Sequence, residues 1–139
     1  MKNRTLARDY LERATHRLAA LDVLFERRSW ADVVRESQEI VELALKSLLR
    51  SFSIEVPRVH DVSQILVDEE ARLPAAMRPR IERLSAISRS LRRDRELAFY
   101  GSEDLTPSDF YQEADATQAR DDARWVVEVV ASAVQAPRK

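Results

Sequence analysis

Apolar residues recur along this chain every three or four positions, the spacing that keeps one face of an α-helix toward a core. From Thr5 to about Phe25, Leu6, Tyr10, Ala14, Leu18, Leu21 and Phe25 form one such face, and Arg27-Arg28-Ser29 interrupts it. Ser29-Trp30-Ala31-Asp32 then has the form of a capping box, with the serine oxygen and the Asp32 carboxylate each placed to accept from free amides at a helix start. The helix it opens is predicted to run to about Phe52 with Val33, Ser37, Ile40, Val41, Ala44, Leu45, Leu48 and Phe52 inward. It should be the most buried element.

Ser53 to His60, with β-branched residues around Pro57, reads as an extended connection. Asp61 can cap a short helix whose apolar contacts are Val62, Ile65 and Leu66. Leu73-Pro74 and Arg78-Pro79 mark the next break, and Pro79 suits the first turn of a fourth helix. Met77, Ile81, Leu84, Leu91 and Ala98 give that helix its face, and it stops near Tyr100-Gly101, where glycine can adopt the left-handed cap. Thr106-Pro107-Ser108-Asp109 repeats an N-terminal signature. The last helix is predicted from Pro107 to about Gln135, with Phe110, Ala114, Thr117, Val126, Val127, Val130 and Val134 inward and Pro137-Arg138-Lys139 frayed. The sum is an all-α fold: an antiparallel up-and-down bundle of four long helices plus one short helix, one domain over residues 1–139.

Composition narrows this picture. A single glycine leaves little material for the tight turns of a β-rich fold. Hydrophobic residues at 45% and charged residues at 34% suit an amphipathic helical protein and exclude a wholly disordered one. A formal net charge of -1 announces no global field for nucleic acid. With no cysteine and two histidines, thiol chemistry and a protein-ligated metal are not expected, nor is a cofactor. No apolar run approaches the ~18 residues that cross a bilayer, and the start, Met1-Lys2-Asn3-Arg4, lacks a signal core, so the expectation is a soluble, cytoplasmic protein with no membrane partner.

One residue falls out of step with its helix. Arg95 lies between Leu91 and Ala98, on or beside the apolar face, and a guanidinium that cannot lose its charge calls there for a partner or a function. Around it runs Arg92-Arg93-Asp94-Arg95-Glu96-Leu97-Ala98-Phe99-Tyr100-Gly101. Upstream, the second helix reads Ser37-Gln38-Glu39-Ile40-Val41-Glu42-Leu43-Ala44-Leu45-Lys46-Ser47-Leu48-Leu49-Arg50, followed by Ile54-Glu55-Val56-Pro57 and by His60-Asp61-Val62, and Tyr10-Leu11 with Ala14 opens the chain. In that order and separation these segments resemble the HEPN domain (higher eukaryotes and prokaryotes nucleotide-binding) over nearly the whole chain.

The resemblance implies a helical bundle that forms a homodimer, often encoded beside a minimal nucleotidyltransferase partner in prokaryotic toxin–antitoxin pairs, and a nucleotide or RNA ligand. In the ribonuclease branch it implies an arginine, four to six residues, then a histidine at a helix end, paired across the dimer. Arg95 matches that arginine; after four intervening residues the chain has Tyr100 in the histidine's place, and no histidine follows His60. Cleavage through the 2′-hydroxyl needs a proton acceptor near neutral pH, which histidine at ~6.5 provides and tyrosine at ~10 does not.

The candidate site is therefore Arg95 and Tyr100 as a catalytic pair, with Glu39, Glu42, Lys46, Arg92 and Arg95 for ligand binding and His60, Asp61 and Gly101 beside them. Each has a structural counter-reading. Arg95 would pair with Glu39 or Glu42; Tyr100 would be a core-rim aromatic; His60 would belong to a helix-entry turn; Arg89, Arg92, Arg93 and Arg95 would be a solvated face; Glu42 and Lys46 would make an exposed pair. In the family's adenylylating pairs a tyrosine near the motif is modified, a role the resemblance extends to Tyr100. Three functions stay open: an interaction module without nuclease activity, a metal-independent ribonuclease toxin using Arg95 and Tyr100, and a structural helical interaction protein. Trp30, Phe99 and Trp125 are apolar surface that one small bundle would leave uncovered, which also favours a dimer.

Overall fold

The computed structural model describes residues 2–56, 61–101 and 106–135, the side chains of residues 2–3 and 95–100 excepted. Its helices are α1 (Lys2–Glu26), α2 (Trp30–Ser51), α3 (Val62–Asp68), α4 (Arg78–Tyr100), α5 (Pro107–Phe110) and α6 (Glu113–Val134), with single 3₁₀ turns at Glu70–Arg72 and Ala75–Met77. No strand occurs among the described residues. The all-α bundle is as expected, with α1, α4 and α6 packed around α2 and α3 laid on α4.

The pairings show the up-and-down order. Ala7 of α1 lies by Ser47 of α2 while Arg17 lies by Glu36, so these two helices run oppositely. Arg83 stacks on Trp125, whereas Asp94, eleven residues on, meets Tyr111 just before α6, so α4 and α6 also oppose. Centrality explains the composition of α2: Val33, Val34, Ile40, Val41, Ala44, Leu45, Leu48 and Leu49 are buried on several sides of the helix rather than along one stripe. Small buried residues meet at the α1 contact, Ala7 on α1 and Ser47 on α2, and the Ser47 hydroxyl donates to the Ala7 carbonyl at 2.6 Å. Beside this seam Arg17 donates to both oxygens of Glu36, at 2.6 and 3.0 Å, a bidentate geometry that fixes register.

Two expectations need correction. The last helix is not continuous from Pro107. Thr106 caps as predicted, its hydroxyl accepting from the Asp109 amide at 3.2 Å, but only the four residues of α5 follow. Tyr111 and Gln112 are extended, and α6 restarts with the Asp115 carboxylate accepting from the Gln112 amide at 2.9 Å. The two extended residues reset the helical phase, so Phe110 is exposed, Ala114 faces solvent, and the buried face begins with Tyr111, Ala116, Ala119 and Ala123. At the start of α2, Ser29 does not accept from an amide: its hydroxyl donates to Asp32 at 2.6 Å, because serine oxygen is a donor as well as an acceptor. In α1 the buried face is Ala7, Leu11, Ala14 and Leu21, with Leu6, Tyr10, Leu18 and Phe25 at its edge.

Helix ends account for the positive φ angles among the described residues: Arg28 (60°), Ser53 (59°) and Gly101 (79°). Gly101 closes α4 in the predicted left-handed cap. Arg28 and Ser53 do the same for α1 and α2 with a side chain present. In each case the left-handed residue's amide reaches back to a carbonyl, Arg28 to Phe25 at 2.9 Å and Ser53 to Arg50 at 3.0 Å. The next amide reaches five residues back, Ser29 to Leu24 and Ile54 to Leu49, completing Schellman turns.

The tryptophans are better covered than their sequence suggests. Trp30 sits edge-on to Phe25 with ring centroids 4.9 Å apart and Arg28 over its face, and Arg83 lies 3.8 Å from the centre of the Trp125 ring. Both pack against the chain's own core and are half-buried, so neither demands a second subunit.

Candidate functional site

The last turns of α4 are held from two sides. On the α3 side, Asp61 caps α3: its Oδ1 accepts from the Ser63 amide at 3.0 Å and the Ser63 hydroxyl at 2.7 Å. The same oxygen lies 3.5 Å from a guanidinium nitrogen of Arg92, one turn before Arg95. Partial burial pushes the Asp61 carboxyl up, but the two Ser63 hydrogen bonds and the positive charges of Arg92 and Arg89 outweigh it and leave it below the usual carboxylate value. Arg89 is anchored on Ser85, whose buried hydroxyl donates to the Ser63 carbonyl at 3.0 Å while accepting from Arg89 at 3.2 Å. A cavity of about 460 Å³ opens between α3 and α4 beside Ser85 and Arg89 and extends to Arg78.

The α6 side has the opposite character. The buried Tyr111 donates its hydroxyl hydrogen to the Asp94 carbonyl at 3.1 Å, tying the α5–α6 break to α4. Around it a cavity of about 260 Å³ is lined by Asp94, Asp115 and Asp122, with Arg93 at its edge. Burial, reinforced by the negative charge of Asp94 and Asp115, pushes the Tyr111 hydroxyl up to about 12. Burial likewise raises Asp94, helped by Asp115 and opposed by Arg93, and raises Asp122, helped by Asp121 and opposed by Gln118 and Arg83. Among the described residues no group of three His, Cys, Asp or Glu side chains is arranged to hold a metal ion.

The match of the chain to the HEPN domain model runs from residue 7 to residue 133, from the first buried alanine of α1 to the last turn of α6. The chain belongs to the HEPN family. Neither the curated proteins nor the solved structures contain a significant match to it. No helix among the described residues is long and apolar enough to cross a membrane.

Within this HEPN domain the candidate residues divide into three groups. Asp61 and Arg92 are brought together at the α3–α4 junction, and Gly101 terminates the helix that carries Arg92. Glu39 lies on the α1–α2 seam, where Arg17 approaches it to 3.4 Å and Arg35 to 3.2 Å. Glu42 and Lys46 are half-buried on α2, and among the described residues no ion pair links them, so the expected exposed pair is not formed. His60 and the side chains of Arg95, Phe99 and Tyr100 lie outside the described residues, although the α4 backbone continues through Tyr100.

Sequence reasoning did not find the acidic cavity of the HEPN domain or its tyrosine. In the sequence Asp94 stands only as one acid inside the arginine-rich run from Arg92 to Arg95. The signal that could have located the cavity is Gln112 followed three residues later by Asp115, a helix-start spacing that moves Tyr111 inward.

Proposed function

We propose that this HEPN domain is a cytoplasmic binding and interaction module: a homodimer that acts with a minimal nucleotidyltransferase in a toxin–antitoxin-like pair, or binds nucleotide or RNA, without ribonuclease activity of its own. The observation that carries this reading is the end of α4, where Arg95 is followed after four residues by Tyr100 and where no histidine follows His60. An arginine can hold a phosphate bidentately, but it cannot shuttle a proton. A tyrosine hydroxyl near its ordinary value of ~10 is protonated at neutral pH and can donate a hydrogen bond or stack on a base, yet it is a poor general base.

The family likeness supports the dimer: in the ribonuclease branch the motif is paired across two copies, and such pairing here brings two α4 ends, each with an Arg95 and a Tyr100, to one ligand.

The test is RNA cleavage by the purified chain with and without chelator, alongside Arg95→Ala and Tyr100→His. No cleavage by the natural chain is expected. Chelator-insensitive cleavage that disappears in Arg95→Ala would overturn the module reading in favour of a ribonuclease. Light scattering at micromolar concentration should give twice the chain mass, and a monomer mass would remove the dimer.

A further inference from the structure

Among the described residues Phe110 is the one exposed aromatic side chain, at 43%, whereas Trp30, Trp125 and Tyr111 pack against the core. It is open to water and yet fixed in place. The amides of Asp109 and Phe110 both donate to the Thr106 carbonyl at 3.1 Å, the Tyr111 amide donates to the Pro107 carbonyl at 3.0 Å, and the Phe110 ring meets the Tyr111 ring edge-on with centroids 5.0 Å apart. Tyr111 is itself buried and bonded to the Asp94 carbonyl of α4. An aromatic ring held in this way gives up little conformational freedom when a partner covers it, and such rings carry much of the energy of protein interfaces.

The charges around Phe110 have both signs and are poorly matched within the chain. Arg93 borders the cavity that Tyr111 lines, is 77% exposed, and comes no closer than 3.8 Å to the carboxylate of its neighbour Asp94. Asp109, in the same turn as Phe110, is exposed and makes no ion pair among the described residues. A contact between two identical patches needs this combination, because across a two-fold axis the cation of one copy meets the anion of the other, twice, around an apolar centre. A rim of one sign would repel its own copy. The carboxylates of Asp94, Asp109 and Asp115 also make this corner unfavourable for a phosphate backbone, which points to protein rather than nucleic acid as its occupant.

We infer that the α5–α6 corner is the interface of the homodimer: Phe110 of one copy packs on Phe110 of the other about a two-fold axis, and Arg93 of each copy faces Asp109 of its partner. This deepens the homodimer reading and rests on it. Asp94, to which the corner is tied, immediately precedes Arg95. Two copies joined here therefore set the terminal turns of both α4 helices beside the interface.

Sedimentation velocity of the full chain over a dilution series, at low and moderate salt, tests the interface. Phe110→Ala removes an exposed side chain, so thermal unfolding should stay close to that of the natural chain while the dimer dissociation constant rises roughly thirtyfold or more. Arg93→Glu and Asp109→Arg each oppose like charges twice in a dimer, and each should weaken it roughly tenfold at low salt and less at moderate salt. In an equimolar mixture of these two variants every contact of the mixed dimer again joins opposite charges, so the mixture should dimerise with near-natural affinity although neither variant does so alone. Natural affinity in Phe110→Ala, or a mixture no tighter than its components, would overturn the interface and leave the homodimer reading standing. A monomer mass for the natural chain throughout the series would remove the homodimer and this interface with it, leaving the corner to a different protein.

Discussion

On its α3 side α4 meets Asp61 together with Arg89 and Arg92; on its α6 side it carries Asp94 toward Asp115, Asp122 and Tyr111. Loss of water is the largest influence on Asp61, Asp94 and Asp122 alike, and in each it favours the protonated acid. The outcomes nevertheless differ in sign. Asp61 has two hydrogen-bond donors from Ser63 and two nearby guanidinium groups, and its ionised form is favoured. Asp94 has another carboxylate nearby and only Arg93 against it, and its ionised form is disfavoured. The depth of burial sets how much is at stake, while the neighbours decide which protonation state benefits. One helix thus separates a flank where a carboxylate is favoured in its ionised form from a flank where the ionised form is disfavoured.

The largest perturbation should come from the layer that both flanks share. Leu84→Ala empties a fully buried position of α4 and should cost about 2–5 kcal/mol in urea unfolding, lowering the stability of both flanks together. Next, Asp61→Ala should lose about 1 kcal/mol with its cap. Because the folded-state value of Asp61 is lowered, its stabilising contribution is present above the unfolded value of ~3.9 and is lost as pH falls through the folded value. The mutant and natural proteins should therefore converge in stability at acid pH, and parallel curves would show that ionisation of Asp61 is not what matters. Tyr111→Phe should cost about 0.5–1.5 kcal/mol by deleting the hydrogen bond to the Asp94 carbonyl, measured by thermal unfolding, without altering the α3 side. The smallest effect is expected at Asp122→Asn, a stabilisation of a few tenths of a kcal/mol at neutral pH after solvent screening. Here the sign reverses: a raised folded-state value gives stability that is present below the unfolded value and is lost as pH rises through the folded one. A gain from Asp122→Asn that persists unchanged at acid pH would break the contrast between the flanks.

Local signals were readable in the sequence and non-local ones were not. Asp61, Thr106 and Gly101 announce helix ends through chemistry confined to three or four residues, and each sits at the helix end predicted for it. The central position of α2 follows from apolar residues that exceed one stripe. The α5–α6 break was hidden because Phe110, Ala114 and Thr117 continue a plausible helical face across it, and only the Gln112–Asp115 spacing argues otherwise. Ser29 and Asp32 meet each other rather than the free amides expected of each, since a hydroxyl does not declare in sequence whether it donates or accepts. Glu39 was linked to the ligand site by family likeness, and the arginines beside it come from α1 and from its own helix. Arg17, nineteen residues from Glu36, carries no local mark of that pairing. In the candidate site the Asp61–Arg92 contact joins residues thirty-one apart that had been singled out separately, and only the fold places them side by side.

The left-handed caps at Arg28 and Ser53 also have a consequence for the chain before it folds. Most proteins would put glycine at such turns, which removes the steric conflict in the native state but widens the range of conformations the denatured chain must give up. With one glycine in 139 residues, this chain does the reverse. Its denatured ensemble is narrower at these two turns, and the corresponding penalty is held as local steric conflict in the folded helix ends, at two identifiable residues.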